Sequence, residues 1–290
     1  MILYFKPIFL DKIWGGNKLK TLFGYDSSDQ CGEVWGISAY KDLQSIVNNG
    51  PFKGRTLKDL YDNEKQLFGN PKQLEFPILV KIIDAAKDLS VQVHPGDDYA
   101  SKYNSYGKNE CWYVLATDND TKMIIGHKAK TKDELNQLID NLEFEKLLNK
   151  FSIKKDEYFY IKEGTIHAIC AGTVLLEVQQ SSDLTFRLYD YNRLENNSLR
   201  PLHLNEAKAV INVPDNKILT KHDNTYFDYD IKTITGSFNK TAHVHGDYIA
   251  VIEGSGLIND SPLKKGDFLM VSSNDTYDII GNLKIQITNF

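Results

Sequence analysis

The chain has 290 residues, enough for one large or two medium domains with well-buried cores, so it needs no disulfide or metal staple to fold. A net charge of −5 and a pI near 5.8 give no global basic field, which argues against nucleic acid as a main partner and leaves any anionic ligand to be held by local charges. Cys31, Cys111 and Cys170 are an odd set without a CxxC pair, the pattern of reduced thiols, and neither a signal-peptide-length apolar run at MILYFKPIFLDKIWGG nor a membrane-length one elsewhere is present, so a soluble, cytoplasmic protein is expected.

Most of the sequence consists of short β-like runs broken by Gly, Asn, Asp and Ser. After TLKDLYDNEKQLF, an amphipathic helix opened by Thr56, come the strands ILVKIID, LSVQVHP, CWYVLAT and KMIIGH. A second helix is expected over TKDELNQLIDNLEFEKLLNKF, where Thr131 and Glu134 have capping-box spacing. Strands resume with YFYIK, TVLLEVQQ and LTFRLYDY. An ungapped internal repeat then appears: KKDEYFYIKEGTIHAI from Lys154 lies over KKGDFLMVSSNDTYDI from Lys264, and His167 falls on Tyr277. Two related β-barrel units follow from this. Residues 1–222 would carry a metal and the helices, and residues 223–290 would be structural, with the boundary near KHDNTYFDYD.

In an extended strand alternate side chains share a face, so Ser90, Gln92 and His94 of SVQVH point one way while Val91 and Val93 point into a core. Glu110 opens the run ECWYVL, and His167 is expected at the end of the aromatic strand Tyr158 to Ile161. Neighbouring strands could bring Gln92, His94, Glu110 and His167 together. Imidazole nitrogen, carboxylate and amide oxygen suit zinc or another first-row divalent ion and are poor for calcium. Two His and a carboxylate are also the facial triad of non-haem iron oxygenases, and a barrel of this kind can serve as a sugar-binding module. Three cations stand near the set in sequence. Lys81 lies inside the apolar run FPILVKIIDA, Lys108 is two residues before Glu110, and Arg187 is embedded in LTFRLYDY with Glu177 and Asp183 nearby. A buried Lys needs a partner, and a guanidinium can clamp phosphate or stabilise a developing oxyanion. His243 and His245 of HVHGDY lack a third histidine at Tyr277 and read as a solvated strand or loop pair.

The segments IWGGNKL, CGEVWGISA, FPILVKIIDAAKDLSVQVHPGDDYA, GKNECWYVL, EGTIHAI, LLEVQQSSDLTFRLYDYNR, VIEGSGLI and LKKGDF, in this order, closely resemble the type I mannose-6-phosphate isomerases in their short bacterial form. The resemblance covers nearly the whole chain. It implies a mainly β protein of two cupin-type (jelly-roll) barrels with a few flanking helices, interconverting mannose 6-phosphate and fructose 6-phosphate through a cis-enediol with one zinc ion per chain. It further implies that Gln92, His94, Glu110 and His167 hold the zinc, that Arg187 is catalytic, and that Lys81, Ser90 and Lys108 bind the sugar phosphate, with Trp14 near the pocket. The expected partner is a small sugar phosphate, with no nucleic acid, no membrane, and a monomer or weak homodimer. Larger members carry a Tyr two residues after the second zinc histidine, where this chain has Ile169.

Overall fold

In the computed structural model, which describes every residue except Asn196, Asn216, His222 and Asn224, the period-two runs form three large sheets and the protein is mainly β. A six-stranded sheet runs in the order Tyr158–Ile161, Glu110–Thr117, Thr173–Gln180, Ile78–Ala85, Cys31–Ile37 and Ile8–Gly16. A five-stranded sheet has Leu148–Ser152, Lys122–His127, His167–Ile169, Val91–Val93 and Phe186–Tyr189. The third sheet orders Asp228–Thr241, Thr276–Asn289, Asp247–Ile258, Phe268–Val271, Ile2–Lys6 and Ile46–Val47, so it draws on both ends of the chain. None of the sheets closes on itself among the described residues. No helix among them is long and apolar enough to cross a membrane.

The six-stranded sheet is buried on both faces, which is why its strands read as nearly continuous apolar runs rather than strict alternation. Trp112, Val114, Ile83 and Leu175 pack toward Met123, Ile125 and Ile169 of the five-stranded sheet. On its other face Val34, Val80, Ile82, Leu176 and Val178 meet Leu3, Phe5, Tyr248, Phe268 and Met270 of the third sheet. That second contact is close. A Cβ added at Gly36 would lie 2.1 Å from the Phe268 ring. Gly36→Ala is therefore expected to lower stability by about 1–3 kcal/mol, read as a drop in denaturation midpoint; an unchanged midpoint would mean the two sheets can part at no cost.

Both expected helices begin where their threonines place them and end early. Thr56 Oγ1 accepts from Asp59 N at 3.1 Å before Leu57–Asn63, and Thr131 Oγ1 accepts from Glu134 N at 3.2 Å before Lys132–Asp140. The second helix stops at Asp140, just before Leu142 takes a left-handed φ of 57°; a further helical turn spans Phe144–Leu147, and LNKFS is then taken as strand Leu148–Ser152, paired with Lys122–His127. Ladder hydrogen bonds override the local helical pattern there. His167 likewise does not end the Tyr158–Ile161 strand. It opens one of its own, after a turn at Gly164 whose φ of 78° favours glycine. Its counterpart in the repeat, Asn274, has φ 58°. His243 and His245 sit in a loop beside the third sheet.

Candidate metal centre

The two sheets that share Trp112 and Ile169 also aim polar side chains into the space between them. Glu110 is the first residue of its strand, register-paired with Ile161 and Gln179, and is fully buried. Across the gap the short strand Val91–Val93 buries both valines against the helices and turns Gln92 the other way, with His94 just beyond. His167 pairs in register with Gln92. The sequence-expected residues thus meet: His167 Nε2 lies 3.1 Å from His94 Nε2 and 3.4 Å from Glu110 Oε1, and Glu110 Oε2 is 3.6 Å from His94 Nε2. The Gln92 amide is 3.3 Å from His167 Nε2 through its nitrogen; a half-turn of that group presents its oxygen instead.

The protonation pattern calls for a cation. His94 Nδ1 lies 3.0 Å from Leu184 O and His167 Nδ1 lies 2.9 Å from Thr165 O, and a carbonyl can only accept, so both rings carry their proton on Nδ1. Both Nε2 lone pairs therefore face each other. Burial, and after it the charge of Lys108, pushes His94 well below the ordinary histidine range and His167 down to about 3, so both rings are neutral and ready to ligate. Glu110 Oε1 is buried without a hydrogen-bond partner among the described residues, and burial, with Glu177 adding to it, raises that carboxyl to about 7. A divalent ion would satisfy these orphaned acceptors at once. Part of that demand is met by Lys108, whose ammonium donates to Glu110 Oε2 at 2.5 Å and reaches His94 Nε2 at 3.0 Å.

Beside these ligands lies a cavity of about 250 Å³, lined by Trp14, Ser90, Gln92, Lys81, Lys108 and Arg187 among others. Ser90 Oγ lies 3.2 Å from the other end of the Gln92 amide and, with that amide turned to present its oxygen toward His167, accepts from its nitrogen, steadying the side chain as well as facing the cavity. Lys81 is fully enclosed and meets Glu177 Oε2 at 2.7 Å across adjacent strands. Glu177 Oε1 also accepts from Trp112 Nε1 at 2.8 Å. Burial is the largest single influence and would raise the Glu177 carboxyl, but Lys81, Lys108 and the Trp112 hydrogen bond together outweigh it and hold the group down to about 2. Lys81→Met is expected to cost about 3–5 kcal/mol, because it strands a buried carboxylate, and Glu177→Gln added to it should recover part of the loss; equal denaturation midpoints for wild type and Lys81→Met would contradict this.

Arg187 does not pair with Glu177 or Asp183. Its Nη1 donates to Pro201 O at 2.9 Å, and its Nε–H is buried with no partner among the described residues. Burial, and next the like charge of Arg200, lowers its pKa. Four polar lining residues were missed in sequence: Lys12, Glu33, Thr185 and Arg200. Glu33 was detectable as a carboxylate inside the otherwise apolar strand CGEVWGI. It accepts from Trp35 Nε1 at 2.6 Å, and although burial works the other way, Lys81 and Lys12 hold its carboxyl below the ordinary value.

Mannose-6-phosphate isomerase ManA of Bacillus subtilis (strain 168) is 40% identical to this chain over 291 residues, spanning 93% of this chain and 92% of that protein. The chain belongs to the mannose-6-phosphate isomerase family. The model of the phosphomannose isomerase type I catalytic domain matches residues 2–136, which include Gln92, His94 and Glu110. A mannose-6-phosphate isomerase of Streptococcus mutans is 45% identical over 216 residues, 72% of this chain and 68% of its own length. Among solved structures, the mannose 6-phosphate isomerase from Bacillus subtilis superposes with a TM-score of 0.93 at 36% identity, covering 100% of this chain and 99% of that one. Within this family the chain places Ile169, buried, two residues after His167. No phenol is available at that position to carry a proton.

Proposed function

We propose that this protein is a zinc-dependent aldose–ketose isomerase that interconverts mannose 6-phosphate and fructose 6-phosphate through a cis-enediol. The observation that carries the reading is the pair of opposed imidazole lone pairs beside a buried, unpartnered carboxylate oxygen, in a chain of this family. Gln92, His94, Glu110 and His167 would hold one zinc ion per chain, with Thr165 and Leu184 carbonyls fixing the two rings. When bound, the ion supplies Lewis acidity toward the sugar's C1 and C2 oxygens. Arg187 presents its unpartnered Nε–H to negative charge developing on a substrate oxygen, which makes it the catalytic arginine. Lys81, Ser90 and Lys108 line the cavity and orient the sugar phosphate. Redox-free chemistry fits this wall of cations better than the iron-oxygenase alternative does.

The organisation we propose with it is a metal-bearing cupin-type unit over residues 1–222 and a cupin-like unit without a metal over 223–290, the latter extended by strand Ile2–Lys6. The protein works as a monomer or weak homodimer in the cytoplasm, where its three buried cysteines stay free thiols. A coupled turnover assay on mannose 6-phosphate tests the activity. Chelation should abolish turnover and added zinc restore it, whereas full activity in the chelated protein, or oxygen consumption with iron, would overturn the proposal.

A further inference from the structure

Behind the metal centre one buried amide joins the chain segments that deliver its ligands. The side chains of Lys108 and Glu110 turn toward His94, with the Lys108 ammonium 2.5 Å from Glu110 Oε2 and 3.0 Å from His94 Nε2, so the residue between them, Asn109, faces the opposite way. Asn109 is buried and lies outside the lining of the cavity. Its amide is fully used. Nδ2 donates to Glu163 Oε2 at 2.6 Å and to Gln180 Oε1 at 2.9 Å, while Oδ1 accepts from Glu163 N at 2.9 Å and from Tyr160 Oη at 3.3 Å. A backbone N–H can only donate, so the contact with Glu163 N fixes which end of the Asn109 amide is oxygen.

Each arm of this network ends on a segment that carries a ligand. Glu163 opens the turn through Gly164 to Thr165, whose carbonyl holds the His167 ring at 2.9 Å, and Gly164 N donates to His94 O at 2.8 Å. Gln180 Oε1 also accepts from Asn109 N at 2.9 Å, and its Nε2 donates to Asp97 Oδ1 at 3.2 Å. That carboxylate oxygen accepts from Gly107 N at 2.7 Å, which ties the loop after His94 to the loop before Lys108. One side chain thus links the carriers of His94, Glu110 and His167. We infer that Asn109 is a positioning residue for the metal centre: it touches neither the ligand atoms nor the cavity, and it sets how far Glu110 stands from the two imidazoles and hence how tightly they hold zinc. The inference rests on the zinc-isomerase reading. Ligands on separate segments grip an ion tightly only when they are held in place before it arrives, and a buried polar network does this when every member is satisfied.

The test is competition for Zn²⁺ between a chromophoric chelator and the full chain, run on wild type, Asn109→Asp and Asn109→Asp/Glu163→Gln, with melting temperatures of the metal-free proteins taken alongside. Asn109→Asp keeps the shape of the side chain and its accepted hydrogen bonds and removes the donated ones. It should bind Zn²⁺ about tenfold or more weakly, the usual effect of disturbing the groups that orient metal ligands. Adding Glu163→Gln restores a hydrogen bond between the two positions with its direction reversed, and should recover part of the lost affinity. An amide that only holds the fold together would lower the metal-free melting temperature and leave the affinity of the folded protein unchanged. Equal affinity in wild type and Asn109→Asp, or a double variant that binds no more tightly than the single one, would overturn this inference alone; a wild type that binds no zinc would overturn it together with the isomerase reading. Should Asn109→Asp not fold, Glu163→Ala decides: it cuts only the arm to the His167 turn, at a half-buried position, and should also weaken Zn²⁺ binding, so wild-type affinity in that variant would overturn the inference.

Discussion

His167→Ala is expected to lose zinc and turnover together. His167 sits at the centre of the cluster, 3.1 Å from His94 Nε2, 3.4 Å from Glu110 Oε1 and 3.3 Å from the Gln92 amide. Its loss removes one of two imidazoles and leaves His94, Gln92 and a carboxylate spread around a gap. Disturbing only the groups that orient a metal ligand typically costs 10- to 100-fold in affinity, so deleting the ligand itself should cost more than about 100-fold. Zinc content after desalting and coupled turnover are the measurements. Stoichiometric zinc in the purified variant would contradict the assignment, and an unchanged melting temperature measured with both proteins stripped of metal would show that the scaffold is intact.

Arg187→Ala should separate chemistry from metal binding. The guanidinium is anchored at one end by the Pro201 carbonyl and leaves Nε–H unpartnered in a half-buried position, a donor preorganised for charge that the substrate brings. Removal of one such donor typically raises a barrier by about 3–4 kcal/mol, which predicts a fall in kcat of roughly a hundredfold or more with zinc retained. Arg187→Lys should rescue little, because a point charge on a flexible stem does not reproduce the planar fork. Near-normal turnover in Arg187→Ala would return this residue to a purely structural role.

What the sequence disclosed about the site followed its periodicity. Ser90, Gln92 and His94 share a face because a strand has period two, and Val91 and Val93 are buried behind them against the helices. Glu110 could be placed at a strand start from the polar loop before it. Contacts set by distant register could not be read in this way. Lys81 meets Glu177 only because the strands Ile78–Ala85 and Thr173–Gln180 pair in one register, and nothing local in FPILVKIIDA specifies it. The strand at Leu148–Ser152 was hidden for a related reason: its residues continue a helical pattern, and only the unpaired edge of Lys122–His127 makes extended pairing better. The repeat fared differently. Its left-handed turn positions, Asp156 and Gly164 in one copy and Gly266 and Asn274 in the other, fall in step, so an ungapped sequence overlay captured real backbone equivalence.

The central claim is that two imidazoles, a carboxylate and an amide oxygen from two facing sheets grip one cation. Zinc K-edge X-ray absorption on the purified protein examines that shell directly. The account predicts only nitrogen and oxygen neighbours at about 2.0–2.2 Å, with the outer-shell scattering of two imidazoles, lost to one in His94→Ala. A sulfur neighbour near about 2.3 Å, or a shell without imidazole scattering, would contradict it.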